Sequence, residues 1–231
     1  MSADGSDLLA PPKSVTLISA RLVLSTLQMS DLLDLMPILT SSDVMQWTSS
    51  GPIANEQQGR TWLSSRALGT DVFNFAIRER HEYNRDGERG TIIGILGSPD
   101  WPEVGYLMRP GYAGKGFATE ALSIFIPAFF ERVPSALVST VDGASGGGAQ
   151  GVGYDYLEAL VDVENIGSQR VLEKCGFTKV LVSENDFENS MGLRSTALFR
   201  IARPGRTLPE LGLLVGDGVV PWSEEAKPPI Q

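Results

Sequence analysis

The sequence predicts an α+β fold, strands and helices mixed within one domain, on three observations. Short apolar runs at period two recur along the 231-residue chain and read as strands. Segments with helical spacing lie between them, and some open on capping residues. Residues 103–121 pass from a strand-like run through a glycine turn straight into an apolar helical segment. The length suits one ordinary domain with tails, and 42% hydrophobic with 8% aromatic content suffices for a core.

Taken in order, residues 1–13 read as a flexible arm closed by Pro11 and Pro12, and 14–203 as the domain. Residues 15–27 read as one strand, with Leu22 and Leu24 alternating against Val23. Ser30 is placed to cap a short helix reaching Thr40, ended or interrupted near Pro37. Asn55 and Gln58 have capping-box spacing and open a helix carrying Trp62 and Leu63. Phe73, Phe75 and Ile77 alternate with Asn74, Ala76 and Arg78, the pattern of a half-buried strand. A polar turn over 79–90 leads to strands at 91–96 and 104–108, joined by a turn holding Pro99 and Pro102.

Residues 117–130, with Leu122, Phe125, Ile126 and Phe129, are apolar nearly all round and predict a buried helix that Pro127 kinks or shortens. A strand at 156–161, a short helix at 168–175, and strands at 178–182 and 196–201 complete the sheet. Beyond Pro204 the periodicity ends, so 204–231 read as a Pro/Gly-rich tail packing loosely through Leu211, Leu213 and Trp222. The glycine-rich run 142–153 contains G-x-G-x-x-G at Gly146, Gly148 and Gly151. A strand-like Tyr-Asp-Tyr-Leu follows where a dinucleotide site needs a helix, so the run reads as a flexible insertion.

A formal net charge of −9 argues against a nucleic-acid or anionic-membrane partner and is compatible with a cationic substrate. One cysteine, Cys175, allows no internal disulfide and suggests a reducing compartment. With His81 as the single histidine, no Cys/His zinc site can form, and no metal is expected. Neither a leader pattern nor a membrane-length apolar run is visible, so the expectation is a cytoplasmic monomer or homodimer.

Two stretches carry chemistry. In the first, Val104 to Met108 breaks at Arg109-Pro110-Gly111, and a turn on Gly114 and Gly116 opens a helix at Phe117. Glycines let backbone approach an anion closely, and the unpaired amides of a first helical turn converge at its positive end. Arg109 and Lys115 add local positive charge. A Walker loop would need a hydroxyl after Lys115, where Gly116 stands, and the G-x-x-G-x-G spacing is not the Rossmann one. In the second stretch, Asn165 stands at a strand end, Ser168 near a helix start, and Gly176 where the helix must stop.

Together these stretches resemble the GCN5-related N-acetyltransferase (GNAT) family, nearest its ribosomal-protein-alanine-acetyltransferase-like branch. Arg21-Leu-Val-Leu, Asp43-Val-Met, Ile92-Ile-Gly-Ile, the glycine turn with Ala118-Thr-Glu-Ala, and residues 165–177 follow that branch in order, over about 15–201. The resemblance implies a mixed, mostly antiparallel central sheet flanked by helices. It also implies acetyl-CoA as co-substrate and a primary amine, either a small molecule or a protein or peptide N-terminus, as acceptor. The family's turn signature, Gln/Arg-x-x-Gly-x-Gly/Ala, falls here on Ala113, Gly116 and Ala118, so Ala113 lacks one side-chain contact. The resemblance then places the diphosphate against Arg109, Gly114, Lys115, Gly116, Phe117, Ala118 and Thr119. The pantetheine arm would meet the backbone of Leu107 and Met108, and Asn165, Ser168 and Arg170 would face it from the second stretch.

Family members often carry a tyrosine four residues beyond Ser168 as acid for the departing thiolate; here Leu172 stands there. Glu103, preceding the motif strand, is the first choice of base, and Ser168 the candidate donor to the leaving sulfur. Cys175, at a helix end, reads as packing rather than nucleophile, so attack by the amine is direct. The segment 43–54, with Met45, Trp47 and Ile53, is expected to grip the acceptor. Transfer of another acyl group and a non-catalytic CoA-binding module stand as alternatives.

Overall fold

In the computed structural model, which describes residues 14–68, 73–81, 89–136 and 153–214, the strand expected over 15–27 is instead a hairpin. Its strands are β1 (Thr16–Ile18) and β2 (Leu22–Thr26). The chain breaks at residues 19–21 because distant groups claim it there: the Ser19 hydroxyl and the Arg21 amide both donate to Glu120. A partner so far along the chain leaves no trace in local periodicity.

Three further strands extend this sheet in the order β1-β2-β3-β4-β5, antiparallel throughout: β3 (Phe73–Glu79), β4 (Ile92–Ser98) and β5 (Gly105–Met108). β3 was expected to be half-buried, yet Phe73 through Arg78 are all buried. The alternation is real but sorts residues between two cores rather than between core and water. Phe73, Phe75 and Ile77 enter one cluster with Phe125 and Phe129, while Ala76 enters another with Leu35, Ile38 and Leu63. The polar residues on that second face are satisfied by specific partners: Asn74 donates to the Arg66 carbonyl (3.0 Å), and Arg78 pairs with Asp31 (2.8 Å).

Helices α1 (Leu32–Leu39), α2 (Ser42–Met45) and α3 (Glu56–Ala67) cover that second face. Ser30 does not cap α1. A 3-10 turn, Met29–Asp31, precedes the helix, and the Asp31 carboxylate takes the Gln28 amide at 2.9 Å. Asn55 caps α3 by accepting from the Gln58 amide at 3.0 Å. Helix α4 (Phe117–Arg132) covers the opposite face of the sheet. Pro37 and Pro127 lie inside α1 and α4 without ending them. Both prolines, and Leu33 and Ser123 four residues before them, are exposed, so water can take the carbonyl each proline leaves unpaired.

The last strands do not join the first sheet. β6 (Tyr156–Asp162), β7 (Thr178–Asn189) and β8 (Gly192–Ala202) form a second sheet ordered β6-β8-β7, its hairpin longer than the periodicity indicates. Helix α5 (Ile166–Lys174) joins β6 to β7. The sheets meet through one parallel bridge, Glu103 to Glu158, in which Val104 donates to the Glu158 carbonyl (2.8 Å) and Glu158 to that of Pro102 (3.0 Å). Past it β5 and β6 make no further pair with each other among the described residues, leaving a slot between two strand edges.

Residues 204–214 lie against the domain: Leu208 is buried, and the Leu213 carbonyl accepts from Arg200. Trp222 and nearly all of the glycine-rich run 142–153 fall outside the described residues. Among the described residues no helix is long and apolar enough to cross a membrane.

Candidate functional site

The turn after β5 is built on left-handed glycines: Gly111, Gly114 and Gly116 have φ of 83°, 77° and 80°. Gly116 is the N-cap of α4, and its carbonyl accepts the first helical bond, from Glu120 at 3.0 Å. Among the described residues, no acceptor takes the amides of Gly114, Lys115, Gly116, Phe117, Ala118 or Thr119. A side chain at Gly111 or Gly114 would meet nothing within 4 Å, so the approach to these amides is open. Unpaired donors at the positive end of a 16-residue helix suit a diphosphate.

Lys115 is exposed, its ammonium 5.0 Å from the Tyr112 ring centroid. Arg109 is directed elsewhere: it donates to Asp34 of α1 (3.1 Å) and to the Ile92 carbonyl (2.9 Å), fixing the strand end from which the turn departs.

The open edge of β5 belongs to alternate residues. Pairing of Ile95 with Leu107 and the Arg109 amide bond to Ile93 turn the main chain of Leu107 and Arg109 toward β4. The main chain of Tyr106 and Met108 therefore faces the slot, where Val104 makes the bridge. The side chains divide by the same parity: Val104, Tyr106 and Met108 pack in the core beneath α4, whereas Leu107 packs on the α1–α3 face.

Across the slot stands α5. Asn165 caps it by accepting from the Ser168 amide at 3.0 Å, which leaves the Asn165 side-chain NH2 unpartnered among the described residues. The Ser168 carbonyl accepts from the Tyr106 hydroxyl at 3.1 Å, a tie from β5 to the first turn of α5 that sequence reading missed. An aromatic at strand spacing reads as core, and only the fold shows which helix it meets. Burial pushes the Tyr106 phenol up to about 12, so it stays protonated across the working range. Leu172 is fully buried, and Arg170 is exposed on α5. Burial raises the Cys175 thiol, and its sulfur lies 3.6 Å from the Ser123 hydroxyl and 3.5 Å from the Thr119 carbonyl, a packing environment and not that of an activated nucleophile.

Glu103 sits where the slot narrows to its bridge, and strand parity turns it to the α1–α3 side with Gly105 and Leu107. Burial, then the like charges of Glu158 and Asp100, push its carboxyl above the usual range. Because the side chain is open to solvent, the two neighbouring charges are the firmer cause. A side chain added at Gly105 would meet nothing within 4 Å, so there is room beside this carboxylate.

On that face the chain closes a further contact. Asn189, at the end of β7, donates to the Gln46 carbonyl at 2.8 Å across 143 residues, joining the β7–β8 hairpin to the segment after α2. Of the apolar residues expected to grip an acceptor, Met45 and Ile53 are part of the core, while Trp47 stays half-buried. A groove of about 500 Å³ lined by Arg21, Arg80, His81 and Phe117 lies apart from the slot, at the β2–β3 end of the sheet. Among the described residues no group of His, Cys, Asp and Glu is arranged to hold a metal ion.

The family profile described as an acetyltransferase (GNAT) domain matches residues 21–178. Among curated proteins none matches the chain in sequence. Solved structures resemble the fold at low identity. An acetyltransferase (GNAT family) from Bacillus anthracis aligns at TM-score 0.62 and 18% identity, over 81% of this chain and 98% of that one. A ribosomal-protein-S5-alanine acetyltransferase from Vibrio fischeri aligns at 0.57 and 15%, over 82% and 97%. The ribosomal L7/L12 alpha-N-protein acetyltransferase RimL, in complex with coenzyme A, aligns at 0.59 and 12%, over 82% and 98%.

Proposed function

The chain belongs to the acetyltransferase (GNAT) family, an acetyl-CoA-dependent acyltransferase, and from that premise we propose that it acetylates a primary amine by direct attack. The observation that carries this reading is the row of unpartnered amides from Gly114 to Thr119 beside an open strand edge. A diphosphate followed by an amide-bearing arm has the chemistry to occupy both. The amides of 114–119 would hold the diphosphate with Lys115 nearby, and the main chain of Tyr106 and Met108 would pair with the arm. Arg109 would serve by anchoring the turn's base, Leu107 by its side chain on the acceptor face, and Asn165 through its free NH2. Arg170 stands ready at the rim. Bound there, acetyl-CoA supplies a thioester carbonyl to the attacking amine.

Glu103, ionised, takes the proton the amine must lose, directly or through one water. The Ser168 hydroxyl, which stands beside the Tyr106 phenol, donates on the sulfur side. Trp47 offers the acceptor an apolar contact, with Ile53 supporting the segment from the core. That relatives of this shape include acetyltransferases named for ribosomal proteins supports a protein N-terminus as acceptor, alongside small amines. A CoA-binding, non-catalytic module is the second reading, favoured by the fully buried Leu172 where relatives often carry an acid.

The test has two parts. Isothermal titration of coenzyme A into the full chain should show binding, and Gly116→Trp should weaken it by more than about 100-fold with the circular dichroism kept. Unchanged affinity in that variant would remove the site from the turn. Acetyl-CoA incubated with N-terminal peptides and small amines, followed by mass spectrometry, should yield an acetylated amine. Binding without any acetylated product would favour the non-catalytic module.

A further inference from the structure

Arg21, which lies just before β2 and far from the turn in sequence, wraps the mouth of α4. Its Nε bonds one Glu120 carboxylate oxygen at 2.6 Å, its backbone amide bonds the other at 2.8 Å, and a terminal nitrogen donates to the Lys115 carbonyl at 3.2 Å. The guanidinium also stands 4.6 Å from the Phe117 ring centroid, and its other terminal nitrogen would lie 3.5 Å from a side chain built on Gly116. Ser19 completes the group, donating to Glu120 at 2.7 Å.

Two consequences bear on anion binding. The first is charge. Glu120, in the fourth helical position, puts a carboxylate one turn from where a diphosphate would lie. Burial would raise its pKa, but hydrogen bonds from Ser19 and from the Arg21 amide and guanidinium outweigh this and hold it below the usual range. The carboxylate is thus ionised, and Arg21 pairs with it. The second is direction. In a planar trans peptide the carbonyl of one residue and the amide of the next point to opposite sides. The described residues' one cis bond is Trp101–Pro102, so the 115–116 peptide is trans. With the Lys115 carbonyl gripped by Arg21, the Gly116 N–H points away from the arginine, and among the described residues it has no acceptor of its own.

We propose that Arg21 is a positioning residue for the diphosphate cradle: by holding the Lys115 carbonyl while bonded to Glu120, it aims the Gly116 amide at the ligand. This rests on the reading of the turn as the coenzyme A site. Arg21 touches no ligand atom in this account and acts through the peptide it orients. The guanidinium fork reaches both partners at once, whereas a lysine ammonium can neutralise Glu120 without reaching Lys115 as well.

The experiment measures the dissociation constant of coenzyme A and the thermal midpoint for the wild-type full chain, Arg21→Ala and Arg21→Lys. Both variants should bind coenzyme A roughly tenfold more weakly, the loss expected for one charge-assisted bond. Arg21→Lys should keep a thermal midpoint close to wild type, which preserves the test if Arg21→Ala fails to fold. In turnover with an acceptor found by the screen above, KM for acetyl-CoA should rise by the same factor while kcat stays within about twofold. Wild-type affinity restored by Arg21→Lys would overturn the proposal by reducing Arg21 to a counter-charge. Wild-type affinity in both variants would overturn it by reducing Arg21 to a structural bolt. Failure of the wild type itself to bind coenzyme A would instead defeat the site reading on which the proposal stands.

Discussion

Replacing Glu103 with glutamine is expected to lower kcat about 100-fold while leaving coenzyme A affinity unchanged, the usual cost of losing a general base. The sequence pointed to Glu103 through family resemblance; the fold adds a physical reason. Its carboxylate stands at the apex of the slot with Glu158 across the bridge and Asp100 in the preceding turn, and these charges act in the same direction as burial. Only the ionised form can take a proton, so turnover should rise with pH through the elevated pKa. Glu158 is itself bonded to Arg200 at 3.0 Å. Glu158→Gln removes a like charge and leaves that arginine less engaged, and both changes favour ionised Glu103. The acid limb of the pH–rate profile should therefore move to lower pH in Glu158→Gln and disappear in Glu103→Gln. A limb that stays in place, or moves upward, would end the assignment.

The same shift has a stability sign. A carboxyl whose pKa is higher folded than unfolded binds its proton more tightly in the native state. Its contribution to stability is greatest below the unfolded pKa and declines as pH rises to the folded one. At neutral pH Glu103→Gln should then be no less stable than wild type, unlike a substitution that breaks a structural contact. A lower thermal midpoint would mark Glu103 as part of the scaffold.

Arg78→Met is expected to destabilise the fold by about 3–5 kcal/mol, read by chemical denaturation. Arg78 and Asp31 are each nearly sealed, with 3% of either side chain exposed. The guanidinium bonds Asp31 and Ser25 at 2.8 Å each and the Gly90 carbonyl at 3.1 Å. Asp31 in turn holds the Gln28 amide at the entry to α1. Removing the arginine leaves a carboxylate buried without its partner, which costs far more than the pair contributes. Arg78→Met combined with Asp31→Asn should recover a large part of the loss, since the orphaned charge is then gone. A single-variant cost below about 1 kcal/mol would mean that water or Arg89, 3.6 Å from Asp31, takes over.

What could be read in advance divides by the range of the interaction. Asn55 as a cap, and Gly176 with φ of 90° at the end of α5, were legible because each device is closed within about four residues, whereas Asn165, expected at a strand end, proves to be the cap of α5. The glycine turn was legible for the same reason: φ near +80° at Gly114 and Gly116 is a demand that glycine meets locally. The strand at 15–27 is a hairpin instead because the chain turns back at 19–21, where the Ser19 hydroxyl and the Arg21 amide bind Glu120, about a hundred residues away. β3 was found, but its burial was misjudged, since period two cannot tell a face turned to water from one turned to a second core. Pro37 and Pro127 sit inside α1 and α4, because a proline on an exposed stripe leaves its orphaned carbonyl to solvent.

The sequence by itself determined the Asn55 cap and the glycine turn, because backbone geometry at a cap or a left-handed glycine depends on immediate neighbours. Tertiary structure alone decided that the chain forms two sheets meeting at one bridge, that Tyr106 and Met108 rather than Leu107 line the open edge, and that Glu103 faces Glu158. It also decided the Tyr106–Ser168, Arg21–Glu120 and Asn189–Gln46 contacts, whose partners stand 62, 99 and 143 residues apart. Such pairs follow from how helices and sheets stack to bury apolar surface, a property of the whole chain that no window of sequence contains.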